Sequence, residues 1–216
     1  MTQEIKRKLT RQKLIDKGYE LINTYGYHAI SIDTIIKEVN LTKGAFYYHF
    51  ENKHHFVEAI IEERMGKEIH SNFIEPLSER GNPVFILTDL LQEKLINDKS
   101  LKKNLGSPLI NFIVDLSYEA NDYDLQLKLK DIMNEWKVAL INFLYRGIDD
   151  GYLSRHINTE PVAEFIISSL EGARTMKRVT NDNSIFYNYI EQFKNYLDTL
   201  KATNEATGVH RYQLVS

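Results

Sequence analysis

Residues 41–53, LTKGAFYYHFENK, gather a threonine, two lysines, two tyrosines and a histidine among a few apolar groups. All six can donate a hydrogen bond to an anion. At about 100° per residue, Phe46 and Phe50 share one face of a short helix. Gly44, Tyr47 and Tyr48 take the opposite face, with Ala45 and His49 on a flank. Thr42 suits the N-cap, and Leu41 just before it can pack back on a core. Glycine costs such a helix roughly 1 kcal/mol, and nothing within the segment needs two outward tyrosines. A large anionic partner would need both. Gly44 would let the backbone approach a groove floor or a phosphate. Thr42, Tyr47, Tyr48 and His49 would donate to phosphate oxygens, and Lys43 could reach a phosphate or a base edge. Lys53 follows Asn52, a good cap, so a cation opposes the macrodipole at the start of the next helix, and a phosphate docked there would reverse that sign. Taken singly, each residue is more often an ordinary solvated group. The cluster is what points to double-stranded DNA.

The elements that position this stretch are legible on both sides. Leu14, Gly18, Leu21, Ile22 and Tyr25 form a helical stripe that stops at Gly26, a natural C-terminal glycine. Ser31 caps the next helix, where Ile32, Ile35, Ile36 and Val39 make an i, i+3, i+4, i+7 face. The turn Val39-Asn40-Leu41 relies on the tolerance of asparagine for left-handed backbone. From Asn52, the series Phe56, Ile60, Ile61, Met65, Ile69 and Phe73 predicts about six helical turns to Pro76. SERGNP, residues 78–83, marks a break before VFILTDLLQEKLI, an almost all-round apolar helix that should be buried. In the basic entry, Lys6, Arg7, Lys8 and Arg11 are either an arm that follows DNA or a solvated end.

At 216 residues, with 10 Gly and 4 Pro and apolar spacings of three and four, the chain reads as an all-α protein of one or two domains with a sizeable core. Absence of cysteine excludes disulfides and thiolate metal sites. No stretch of about 18 apolar residues suggests a membrane span, and a soluble, cytoplasmic protein is expected. Net charge is −3, but residues 1–55 hold 9 Lys or Arg against 6 Asp or Glu, leaving 18 against 24 for residues 56–216. The basic end carries the reading stretch.

The run T-K-G-A-F-Y-Y-H-F-x-x-K, preceded by SIDTIIKEVNL, resembles the helix-turn-helix of the TetR family of bacterial transcriptional regulators. The resemblance is close over residues 8–68 and continues by helix pattern to about residue 200. It implies a DNA-binding domain at 8–68, with the helix-turn-helix at about 31–50. An effector-binding and dimerisation domain is implied at 69–202, with a mobile tail at 203–216 in which HRYQLVS is strand-prone. Family pattern places a DNA contact on Ser31 in addition to Thr42, Lys43, Gly44, Ala45, Tyr47, Tyr48, His49 and Lys53. Gly18 stands where alanine is usual, which implies close packing with some loss of helix stability.

Two further sites follow from the resemblance. LGSPLINFIVDL, residues 105–116, and the long helix after an acidic turn are similar to one C-terminal subgroup. Asn111, Phe112, Asp115, Trp136, Leu140, Phe143 and Arg174 have the mix of apolar and polar groups that a ligand pocket needs, although residues of this kind also fill helical cores, and Arg174 could pair with Glu171. The last two helices resemble the family's dimerising pair, with seams at Leu170, Ala173, Phe186, Ile190, Phe193 and Leu197. The implied protein is a homodimeric repressor on a near-palindromic operator, reading heads roughly 34 to 36 Å apart, released by a small, largely apolar effector. No cofactor or metal is called for, and no catalytic constellation stands out: His49, His54 and His55 lack the i, i+4 pairing of a helical metal site. The rival is a helical protein-protein adaptor, which would not need Tyr47, Tyr48, His49 and Lys53 together.

Overall fold

The computed structural model describes residues 2–97, 106–117 and 122–202. The expected tail at 203–216, with its strand-prone end, lies outside them, as does most of the expected acidic turn. Among the described residues there are nine helices and no strand, only an isolated bridge between Leu153 and Lys201.

Helix α1 (Gln3–Tyr25) is capped by Thr2, whose Oγ1 accepts from the Ile5 N–H at 3.4 Å, and it ends at Gly26 with φ 91°. The basic entry is therefore the first two turns of a continuous helix. Leu14, Ile15, Gly18 and Ile22 form its buried stripe. Helix α2 (Ile32–Glu38) starts at Ser31, whose Oγ accepts from the Thr34 N–H at 3.1 Å. Asn40 then turns the chain with φ 55°, as its side chain permits. Helix α3 (Lys43–Tyr47) is capped by Thr42, which accepts from the Ala45 N–H at 3.2 Å.

Helix α4 begins as Lys53–Ile60, with Asn52 accepting from the His55 N–H at 2.8 Å. It has the expected length but not the expected regularity. Wide turns at Ile61–Gly66 and His70–Ile74 flank a short α segment, Lys67–Ile69, and a tight turn, Glu75–Ser78, closes it. Wide turns are a recognised way for a helix to change register, and here they fall where α4 passes from α1 to the longest helix of the chain.

Helix α5 (Pro83–Gln92) opens with Asn82 as cap and continues through a wide turn, Glu93–Asn97. Its burial is not all-round, since Phe85 is 71% exposed. Helix α6 (Pro108–Leu116) is capped by Ser107, the expected Gly-Ser-Pro opening. Helices α7 (Tyr123–Asp149), α8 (Thr159–Thr180) and α9 (Ser184–Thr199) follow. α7 packs on α4, α6 and α8, while α9 lies across α5 and α8. One apolar cluster runs from Leu14 to Leu200, so the small N-terminal unit and the larger unit share a continuous core.

Close packing of α1 on α4 explains Gly18. A Cβ there would lie 2.3 Å from Phe56 Cζ and 2.9 Å from Ile60 Cδ1. The alanine usual at this position would force Phe56 and Ile60 to shift, so the glycine permits this close a crossing as well as weakening the helix.

Candidate nucleic-acid interface

Phe46 and Phe50 are both at most 1% exposed and pack with Phe56 at ring-centroid distances of 5.2 and 4.8 Å. This aromatic wedge turns the other face of α3 outward. Tyr47 is 52% and Tyr48 69% exposed; Thr42, Lys43 and Gly44 are exposed, and Ala45 and His49 are half-buried. Ser31 is exposed at the start of α2. The Ser31 and Thr42 hydroxyls already accept from backbone N–H groups, so their O–H protons are the part that can be turned toward a phosphate.

The two lysines behave differently from each other. Lys43 Nζ lies 2.8 Å from Asp33 Oδ1, an exposed pair that holds the ammonium protonated and contributes little to stability. A DNA phosphate can replace Asp33. Lys53 is half-buried; its Nζ donates to the Tyr27 carbonyl at 2.5 Å and lies 4.2 Å from the centre of the Tyr27 ring. The sequence reads Lys53 as a cation at the α4 start that a docked phosphate would compensate; in this conformation it fastens the α1–α2 turn. His49 is pushed below its ordinary value first by burial and then by Arg11 and Arg7, so it is a neutral hydrogen-bonding group at neutral pH.

Tyr27 is a functional candidate that no local pattern announced. Its N–H donates to Asp115 Oδ2 at 2.6 Å and its hydroxyl lies 3.4 Å from Asp122 Oδ1. Around it, His28 Nε2 lies 3.1 Å from the Asp115 carbonyl, and His54 Nε2 lies 3.0 Å from Asp124 Oδ1. These contacts bridge 70 to 95 residues of sequence. They join the reading head to α6 and the start of α7.

The seven residues expected around an effector are not gathered at one opening. Phe112, Trp136, Leu140 and Phe143 are 1–2% exposed and fill the core, Trp136 against Phe73 at 4.9 Å and Phe112 against Tyr19 at 6.0 Å. Asn111 donates to Asn23 Oδ1 at 2.6 Å and accepts from Arg178 Nη1 at 2.6 Å, and Asp115 holds Tyr27. Arg174 borders a cleft of about 560 Å³ with Gln12, Asp16, Arg64, Lys67, Phe73 and Lys94. It pairs with Glu171 at 3.3 Å, the partner expected for it.

Five of the six expected dimer residues are likewise turned inward. Leu170, Ala173, Phe186, Phe193 and Leu197 are 1–8% exposed, and Ile190 is half-buried. Their bulk is spent on α5, α7 and the α8–α9 contact. What α8 leaves outside is a stripe of Phe165, Ser168, Gly172, Met176 and Val179, all exposed, and a Cβ at Gly172 would meet nothing within 4 Å. No group of three or more His, Asp or Glu among the described residues is arranged to hold a metal, and no helix among them is long and apolar enough to cross a membrane.

Residues 14–60 match the family model described as bacterial regulatory proteins, tetR family, and residues 105–193 match a tetracyclin repressor-like C-terminal domain. The chain is 26% identical over 200 residues to an uncharacterized HTH-type transcriptional regulator in the lacX 3'region of Lactococcus lactis subsp. lactis, spanning 92% of this chain and 95% of that one. It is 24% identical over 170 residues to the HTH-type transcriptional repressor DhaR of Mycobacterium sp. (strain GP1), spanning 76% and 79%. A TetR-family transcriptional regulator from Cytophaga hutchinsonii shares the fold, with a TM-score of 0.80 at 22% identity over 92% of this chain and 98% of that one.

Proposed function

This chain belongs to the TetR family of bacterial transcriptional regulators and carries its DNA-binding helix-turn-helix, and from that premise we propose that it is a homodimeric repressor which a small molecule releases from its operator. The observation that carries the DNA contact is the aromatic wedge of Phe46, Phe50 and Phe56, which buries one face of α3 and leaves Thr42, Lys43, Gly44, Tyr47 and Tyr48 outward. In this reading Lys43 and the tyrosine hydroxyls meet phosphates and base edges, with Ser31, Ala45 and His49 at the margin. Lys53 then acts through the Tyr27 turn it fastens as well as through any phosphate it reaches. Residues 8–68 form the DNA-binding unit, and residues 69–202, which begin inside α4, form the regulatory and dimerising one. Repression is favoured by the similarity to DhaR, a transcriptional repressor that matches three quarters of this chain.

The effector enters at the Arg174 cleft, whose volume is in the range of small-molecule sites. Its walls are largely charged, but Phe73 on one wall packs against Trp136 at a tilt of 36°. An amphipathic molecule fits this better than a purely apolar one: a polar group toward Arg174, and an apolar part displacing Phe73 toward the core that holds Trp136, Leu140 and Phe143. Because Phe73 belongs to α4, that displacement tilts the helix whose first turn holds the reading head. A coupling of about 1 to 3 kcal/mol would lower DNA affinity roughly 5- to 150-fold. The test is to isolate an operator by selection from random duplexes and then titrate small molecules while following Trp136 emission and operator affinity together. A molecule that changes Trp136 emission yet leaves operator affinity untouched would separate the cleft from the switch.

A further inference from the structure

The N-terminal unit has nine Lys or Arg up to residue 55, and most of them are engaged by the chain itself. Lys8 pairs with Glu4 at 3.1 Å and Lys17 with Glu20 at 2.8 Å. Arg11 pairs with Glu63 and lies 4.9 Å from the centre of the Phe50 ring. Lys13 donates to the Val39 carbonyl at 2.9 Å, Lys43 is held by Asp33 and Lys53 by Tyr27. Only Lys6, Arg7 and Lys37 make no side-chain ion pair or hydrogen bond among the described residues. Lys37 stands apart on α2, whereas Lys6 and Arg7 lie next to the reading helix.

Lys6 and Arg7 line one wall of an open groove of about 750 Å³, together with Gln3, Glu4 and Thr10 of α1. Ala45, Tyr48 and His49 line the other wall. Gln3, Lys6, Arg7 and Thr10 are spaced i, i+3, i+4, i+7, so a single face of α1 is turned toward α3. The Thr2 cap and Glu4 in the first turn keep this end helical, so both side chains project from a fixed backbone. We infer that this groove holds the sugar-phosphate strand beside the one that α3 reads, with Lys6 and Arg7 each meeting a phosphate of that strand from the α1 side and the Tyr48 hydroxyl and His49 facing it from the other. The inference rests on the DNA-binding reading and adds to it a second contact element, set by α1 and independent of base sequence.

Charge complementarity favours the strand over other occupants. The groove offers two unpaired cations against one carboxylate, Glu4, whose charge Lys8 offsets. Arginine's planar fork suits a phosphate. The groove is continuous with the exposed face of Tyr48, so one polyanion can touch both.

The experiment measures binding of the full chain to a random-sequence duplex long enough for two half-sites, between about 50 and about 200 mM salt. With both Lys6→Ala and Arg7→Ala, the slope of log affinity against log salt should fall by about two phosphate contacts' worth, near 1.8 per protomer. Lys8→Ala uncovers the Glu4 carboxylate and should weaken binding, and Glu4→Gln should strengthen it. All these side chains are exposed, so circular dichroism and thermal melting should match wild type. A double variant with wild-type slope and affinity overturns the inference and leaves the DNA-binding reading intact. If the wild-type chain itself fails to bind duplex, both fall.

Discussion

Gly18 lies where α1 crosses α4, and its missing side chain decides how closely the two can approach. Alanine would favour the isolated helix by about 1 kcal/mol, but its Cβ would meet the Phe56 ring at 2.3 Å. That ring is fully buried against Phe46 and Phe50, so it can shift only by disturbing them. Overpacking of this kind costs about 1–3 kcal/mol, so Gly18→Ala should destabilise the protein despite its better helix propensity, with a melting temperature lowered by several degrees. A variant that melts higher than wild type would mean that α1 and α4 cross less closely than described. His49 offers a second test on the scale of one side chain. Burial, Arg11 and Arg7 hold its pKa below the ordinary value in the free protein. A phosphate in the adjoining groove would favour the imidazolium and raise that pKa, so binding takes up a proton. DNA affinity should therefore rise as pH falls from about 7.5 to about 6. Arg11 and Arg7 act on the ring, Tyr48 and Phe50 pack beside it, and Glu4 and Lys6 line the same groove; His49→Gln isolates its share, and the pH dependence should become shallower by that proton's contribution. Identical profiles for the two proteins would remove His49 from the DNA surface.

Among the elements, the caps and stripes were readable because they depend on neighbours within one or two turns. Ser31, Thr42 and Asn52 cap where their spacing to the following apolar run places them. Asn40 takes up the left-handed conformation that the turn required. The wide turns of α4 were not readable, since they arise where one helix serves two sets of partners. Nor was the inward rotation of Leu170, Phe186 and Phe193: a helical stripe gives a face but not the element it will cover. The Tyr27 contacts had no local signal either, because Asp115 and Asp122 reach it from 88 and 95 residues away. They carry a prediction at this scale. The Asp115 carboxylate accepts from the backbone of a buried residue at 2.6 Å, a charge-assisted bond of the stronger kind. Asp115→Ala should cost about 1.5–3 kcal/mol and should weaken DNA binding although Asp115 is on α6, because the turn beside Lys53 loses its hold. Denaturant unfolding and duplex binding check the two halves separately. Wild-type values in both would show that this contact does not brace the reading head.

The whole molecule must present two reading heads for the proposed operator, and that depends on a surface that one chain leaves uncovered. Phe165, Ser168, Gly172, Met176 and Val179 fall within about 80° of one another around α8, all exposed and with open space above Gly172. A glycine and a serine between larger apolar groups let a second helix approach closely, while the larger seam residues of α8 and α9 serve the chain's own core. The stripe is therefore the better candidate for the dimer contact than the seam expected from pattern. Gly172→Arg places a long cation at its centre, and its Cβ would meet no atom of its own chain within 4 Å. The variant should keep the helical content and melting behaviour of a folded chain and change only its partner. Light scattering at micromolar concentration should then report a monomer where wild type reports a dimer. Each half-site would be bound alone, and the loss of linked binding should weaken operator affinity by about 10²- to 10⁴-fold, far more than removal of a single phosphate contact. The salt slope should fall to about half, because only one protomer's contacts remain. A Gly172→Arg protein that stays dimeric would move the interface off this stripe, and a monomer that binds the operator as tightly as wild type would show that the two heads do not act together.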